Sequence, residues 1–291
     1  MNSFFAQHRS RSLICLVFLF PFLFSCAVPQ NNADLIRLRT LKDHAYAGDS
    51  ESQYQLGLYY TANNKWAWDK ARGYGWFLDA AEAGHADAQF MVGMSHLLGQ
   101  GAKQSDTEAV RWLTNAAKQG HSRGQYQLGK LYLDGTGVDP DVLWGRYWLE
   151  QAAWGGHAPA QFMLAAIFSK ELAGEKNLPA AWAWLSRAAQ AGHSEGKTAL
   201  QNLTPTLSSA ELADGRQLLV KNEKKEADRL YRRSKIRYLQ SRLNANGFAA
   251  GREDGLAGSQ TEEAILRFLQ QKKLPPDMTI DQLIAYLRGS G

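Results

Sequence analysis

Apolar residues in the middle of this chain fall on helical stripes, and the stripes recur. From Ser122 to Leu133, the residues Tyr126, Leu128, Gly129, Leu131 and Tyr132 share one face of a 3.6-residue period. From Leu143 to Ala153, Tyr147, Trp148, Leu149, Ala152 and Ala153 do the same. Between the two lies Asp134 to Pro140, a loop by composition. The whole pattern returns every 36 residues. Gly48, Gly84, Gly120, Gly156 and Gly192 keep that spacing, as do Gln53, Gln89, Gln125 and Gln161, the rings of Tyr54, Phe90, Tyr126 and Phe162, and Trp76, Trp112, Trp148 and Trp184. Fixed self-similarity at this period predicts an α-solenoid of helix-turn-helix units, each burying its apolar face only by stacking on its neighbours. The recurring glycine falls where a helix ends in a left-handed residue. A second glycine, at 57, 93 and 129, lies inside the first helix of its unit, where it costs about 1 kcal/mol relative to alanine. Close helix contact is the reason to keep it there, and Ala165 takes the place in the fourth copy.

Past the array the pattern changes. Leu200 stays in phase with Leu164 before the repeat breaks off, which predicts a capping helix over 194–207. Ser208 to Glu211 has the spacing of a capping box and opens a charged helix over 208–233. The stretch from Lys221 to Arg237 carries eight cations against Glu223, Glu226 and Asp228. It reads as a solvated connecting helix, with attraction to anionic head groups or to peptidoglycan carboxylates as the alternative. From Ile236 to Leu287 the chain reads as helix, glycine-bearing loop, helix, proline break and helix, with Gly247 as a C-cap and Ser259 as an N-cap. The fold class expected is therefore all-α, a solenoid plus a small three-helix domain over 234–291.

The residues of the array resemble the Sel-one-like repeat family, relatives of the tetratricopeptide repeats. Four copies cover about 45–193, and the third, from Gln125 to Trp148, fits best. The first lacks the loop glycines, having Asn63 to Trp66, and the fourth has a Lys/Glu-rich loop around Gly174. The resemblance implies a right-handed superhelix that binds protein and has no chemistry of its own. The C-terminal segment resembles a small peptidoglycan-binding domain through Leu239-Gln240, Gly247, Asp254-Gly255, Gly258 and Thr261. Leu239, Leu243, Ile265 and Phe268 are expected in its core. It departs from that family at Lys273, where a glycine is usual, and at Pro275 to Met278. Peptidoglycan is the ligand the resemblance implies; a domain of the same fold that binds protein is the other reading.

At the N-terminus, Arg9 and Arg11 precede an apolar run from Leu13 to Phe24, too short to span a bilayer of about 30 Å. This predicts a signal peptide over 1–25 and a tether over 26–44. Leu23-Phe24-Ser25-Cys26 resembles a bacterial lipobox, which implies lipidation of Cys26 and a membrane anchor; an ordinary cleaved signal with an incidental cysteine is the alternative. Ala27 in place of aspartate favours the periplasmic face of the outer membrane by family analogy.

Composition narrows the chemistry. The only cysteines are Cys15 and Cys26, so the mature chain is expected to hold no disulfide. A net charge of +5 that falls to about +3 without Arg9 and Arg11 gives no case for nucleic acid. His85, His121, His157 and His193 occupy equivalent repeat positions, on helices at least about 8–10 Å apart, and so cannot share a metal. No hydrolase or phosphate-loop pattern appears, so neither an enzyme nor a cofactor is expected. The recurring tryptophans are expected in the core. Trp144, Trp154 and Trp182 do not recur, and the first two replace residues such as Glu108 and Lys118. An exposed indole there would anchor a protein partner, with local packing as the alternative. The expected whole is an envelope-anchored, noncatalytic scaffold binding an unidentified envelope protein and peptidoglycan, or else a regulator of a cell-wall enzyme.

Overall fold

A computed structural model describes residues 32–62, 69–170, 176–220, 223–253 and 255–289. The predicted signal peptide, Cys26, Trp66, Trp68, the loop around Gly174 and Asp254 lie outside them. The described residues form α-helices and no strand. After a single helix α1 (Asn32–Tyr46) come four antiparallel pairs: α2 (Ser50–Thr61) with α3 (Lys70–Glu82), α4 (Ala86–Leu98) with α5 (Asp106–Lys118), α6 (Ser122–Asp134) with α7 (Val142–Trp154), and α8 (Ala158–Ser169) with α9 (Leu178–Gln190).

The in-helix glycines are where each pair crosses. A Cβ on Gly57 would stand 2.3 Å from the Phe77 ring, and one on Gly93 or Gly129 would stand 2.7 or 2.8 Å from Leu113 or Leu149. A methyl group there would force the helices apart. The boundary glycines are required for another reason: Gly48, Gly84, Gly120, Gly156 and Gly192 have φ between +82° and +93° with open space at the Cβ position, so the backbone angle alone demands them.

Each boundary is then locked by two repeated polar contacts. The side-chain amides of Gln53, Gln89, Gln125 and Gln161 donate to the carbonyls of Ala45, Ala81, Ala117 and Ala153 at 3.0–3.2 Å, satisfying C-terminal groups of the preceding helix. The four histidines are N-caps. Their Nδ1 atoms accept the amides of Ala88, Gly124, Ala160 and Gly196 at 2.9–3.3 Å, and Asp49 does the same for Ser52 in the first unit. Each imidazole lies against the ring of the preceding unit, Tyr54, Phe90, Tyr126 or Phe162, with centroids 4.6–4.8 Å apart.

Trp112, Trp148 and Trp184 are buried against the previous unit's second helix, as expected. Trp76 is half-buried, because the unit before it is only α1, which offers Tyr46 in an edge contact at 5.1 Å.

The far end of the solenoid is closed by two helices. Both α10 (Ser194–Leu203) and α11 (Ser209–Val220) pack on α9, joined by a 3₁₀ turn at Thr204–Thr206. The predicted capping box is present: the Ser208 amide donates to Glu211 at 2.8 Å and the Glu211 amide to Ser208 Oγ at 3.2 Å. The first half of the expected connecting helix is thus part of the cap. The second half belongs to α12 (Glu223–Ala245), which runs without interruption past residue 234, where the sequence predicted a new domain. With α13 (Ser259–Lys272) and α14 (Ile280–Gly289) it builds a three-helix unit around Leu239, Leu243, Phe268, Leu283 and Ile284. The expected Ser259 cap is corrected by one residue. The Gly258 carbonyl already accepts the Glu262 amide at 3.1 Å, so Gly258 is the cap and Ser259 the first helical residue. Lys273, at the usual glycine position, ends α13 in the left-handed region with φ +54°.

This unit docks on the third repeat. Tyr238 of α12 lies 5.2 Å from the Trp144 ring, Arg242 reaches Asp141 at 2.9 Å, and the Arg288 guanidinium from the end of α14 sits 4.1 Å from Tyr132 and 4.5 Å from Trp144. Solenoid and C-terminal unit therefore share one hydrophobic core.

Candidate ligand groove of the C-terminal domain

The motif residues of the C-terminal unit are mostly a structural lock, with Gln240 at its centre. Its amide donates to the Leu256 carbonyl at 2.9 Å and to Thr261 Oγ1 at 3.0 Å, while its oxygen accepts the Gly255 amide at 2.9 Å. Thr261 in turn donates to the Ala250 carbonyl at 2.9 Å. Gln240 and Thr261 are both buried. A glutamine with both ends engaged fixes the loop from Ala250 to Gly258 against α12 and α13, and this accounts for the Leu-Gln, Gly255 and Thr261 positions together. Leu239 is core, Gly247 turns the chain after α12 with φ +82°, and Gly258 caps α13.

What the lock supports is an open groove of about 930 Å³. One wall is α12, through Arg232, Arg233, Lys235 and Ile236; the second is the loop Gly255 to Ala257; the third is the start of α14, from Thr279 to Asp281. Of the predicted motif residues among those described, Gly255 alone lines it, with a Cβ at that point only 2.4 Å from the Arg233 carbonyl. The groove's cations Arg232, Arg233 and Lys235 were visible in the sequence merely as part of a charged run. What identifies them is which face of α12 meets α14, and that is tertiary information. The Lys235 side chain is buried and its ammonium pairs with Asp281, whose carboxylate is largely exposed. Arg232 is an exposed part of this wall, and the Arg233 Nε is buried with no hydrogen-bond partner among the described residues. The groove lies at the opposite end of α14 from Arg288, so docking leaves it open.

The predicted partner contacts on the repeats come out differently. Trp144 is a correction: it is 9% exposed, covered by Tyr147, Tyr238 and Arg288, because the C-terminal unit occupies that face. Trp154 is half-buried, edge-on to Trp184 at 4.9 Å and beneath the Arg187 guanidinium. Trp182 is half-buried against Gly215 of α11, and its Nε1 donates to Thr204 at 3.0 Å. In all three the indole packs within the chain.

Burial also tunes titration. It lowers the pKa of His121 below the usual imidazole value, opposed by Asp87 3.1 Å away, and lowers that of His157, aided by Arg123. Desolvation likewise lowers that of Arg288. Among the described residues no group of three His, Cys, Asp or Glu side chains is placed to hold a metal, and no helix is long and apolar enough to cross a membrane.

Family models place this architecture. The Sel1 repeat matches residues 50–85, 86–121, 122–157 and 158–193, and a putative peptidoglycan binding domain matches 232–282. Both are domain types without typical catalytic activity. Among solved structures, a Sel1 repeat protein from Oxalobacter formigenes is 24% identical with a TM-score of 0.53, over 66% of this chain and 59% of that one. The chain thus spans about three fifths of that relative, a likeness that speaks for the fold alone. A protective antigen present in uropathogenic Escherichia coli strains, displaying an SLR fold, is 23% identical over 86% of this chain and 62% of its own, with a TM-score of 0.36. No curated protein matches the chain.

Proposed function

From a chain that carries four Sel1 repeats and a C-terminal domain of the putative peptidoglycan-binding type, we propose a noncatalytic envelope scaffold. Its repeats hold a protein partner and its C-terminal domain holds the wall. The observation that carries this reading is the groove: it belongs wholly to the wall-type domain, is lined by cations, and stays accessible while that domain is packed on the repeats. A domain docked in this way transmits the position of the wall to the solenoid without a flexible joint, which is what a scaffold needs. With Trp144 covered, the partner meets other surfaces of the repeats.

The test is sedimentation of the purified full chain with purified sacculi at raised salt. Exposed charges more than about 8 Å apart are already weakly coupled at physiological ionic strength and are screened further by added salt, whereas partly buried pairs are screened much less. The chain is expected in the pellet. A chain that stays in the supernatant overturns wall binding and favours a domain that contacts protein instead.

We further propose placement at the periplasmic face of the outer membrane, a reading supported by the lipobox resemblance of Leu23 to Cys26 and, by family analogy, by Ala27. Several acyl chains on Cys26 would anchor firmly, since one chain alone binds marginally. Metabolic labelling with a fatty-acid analogue is expected to mark the chain and to miss Cys26→Ser; equal labelling of both overturns the anchor.

A further inference from the structure

We propose that the groove is a carboxylate site, so that what it takes from the wall is the free carboxyl end of a peptide stem and not the sugar strand. The proposal rests on the peptidoglycan reading and adds which chemical part of the polymer is bound. Its first support is charge. Arg232, Arg233 and Lys235 face the cavity against the single acid Asp281 among the described lining residues. That acid is paired with the buried Lys235, which leaves Arg232 and Arg233 as the excess cations among the described lining residues.

The second support is an unmet donor. The Arg233 Nε is buried without a hydrogen-bond partner. A buried donor left unsatisfied is unfavourable, and an acceptor that reorganises the side chain would relieve it. An arginine fork matches the two oxygens of a carboxylate better than any neutral acceptor. The third is the start of α14, a ten-residue helix whose first residues, Ile280 and Asp281, form one wall. A helix N-terminus places positive partial charge there and favours an anion.

The remaining lining is apolar and small: Ile236, Leu256, Ala257 and Ile280. It suits the methyl side chains of a short peptide. Among the described lining residues none is aromatic, so these residues offer no flat ring to the face of a sugar. In peptidoglycan the free carboxylates are carried by the peptide stems, so the chemistry of the groove selects the stem.

The experiment uses the full chain and three soluble probes at physiological salt: N-acetyl-D-alanyl-D-alanine, its C-terminal amide, and chitotetraose. The free acid is expected to bind, the amide at least tenfold more weakly, and chitotetraose not at all. Arg233→Met should lose tenfold or more. Arg232→Gln, a change at an exposed position, guards against misfolding and should lose severalfold. Asp281→Asn should bind about threefold more tightly. Arg267→Gln removes the same charge from an exposed site on α13, away from the groove, and should change nothing. Equal binding of acid and amide, weaker binding by Asp281→Asn, or a loss at Arg267 as large as at Arg233 overturns the proposal. Sacculi whose carboxyls have been converted to amides separate the two readings. If untreated sacculi fail to retain the chain, wall binding itself falls. If untreated and amidated sacculi retain it equally, only the carboxylate site falls.

Discussion

His121 caps α6, stacks on Phe90 of the preceding unit and approaches Asp87, so a single imidazole serves a helix end and a repeat interface at once. Burial depresses its pKa, and that of His157, below the unfolded value of about 6.5. The unfolded chain therefore takes up protons on these groups at a pH where the folded chain does not. Stability contributed by the neutral rings is fully present above the unfolded pKa and declines as pH falls from there toward the folded values. The melting temperature is expected to drop between about pH 7 and pH 5.5, and His121→Asn combined with His157→Asn to flatten that drop, since asparagine caps without titrating. Equal slopes for both proteins would contradict the assignment. At this scale the sequence was partly legible. The repeat positions of the histidines ruled out a shared metal and marked a boundary, but their capping role needed the backbone. Gln240 was visible as half of a motif, while its three hydrogen bonds join segments 15 to 21 residues away that only folding brings together.

Helix packing in the array follows from residues that the 36-residue period exposes directly. Gly57, Gly93 and Gly129 and the recurring tryptophans are the same contact written three or four times, so periodicity suffices to predict it. Trp148→Ala is expected to destabilise the solenoid by about 3–5 kcal/mol, the usual cost of truncating a buried large aromatic, with the loss spreading to neighbouring units. Trp154 does not recur, and the sequence left it between contact anchor and packing. Its edge contact with Trp184 and the Arg187 guanidinium above it predict a smaller loss for Trp154→Ala, about 1–2 kcal/mol from the aromatic and cation–π terms. Denaturant unfolding of the two variants checks the order; a reversal would contradict the packing described. Elements outside the period were harder to place. Composition could not divide the charged stretch after Ser208 into a cap helix on α9 and a second helix that belongs to the next domain, because the division depends on which face each half buries.

The molecule as a whole depends on a contact the sequence did not disclose. Asp141 caps α7 with one carboxylate oxygen and holds Arg242 with the other, while Arg288 enters the rings of Tyr132 and Trp144, so a repeat and a helix about a hundred residues later form one core. No periodicity links these residues, and Asp141, Arg242 and Arg288 each alone read as ordinary surface side chains. The consequence for function is geometric. The docked domain turns Arg288 toward the repeats and the groove away from them, so holding the wall and holding a protein do not compete for one face. A photo-reactive amino acid placed at Leu256, which is exposed at the groove rim, tests that claim in intact cells. The account predicts an adduct of high mass that collapses to the size of the protein when the sacculus is digested with a muramidase. An adduct that resists such digestion and runs as a discrete protein–protein product would contradict it.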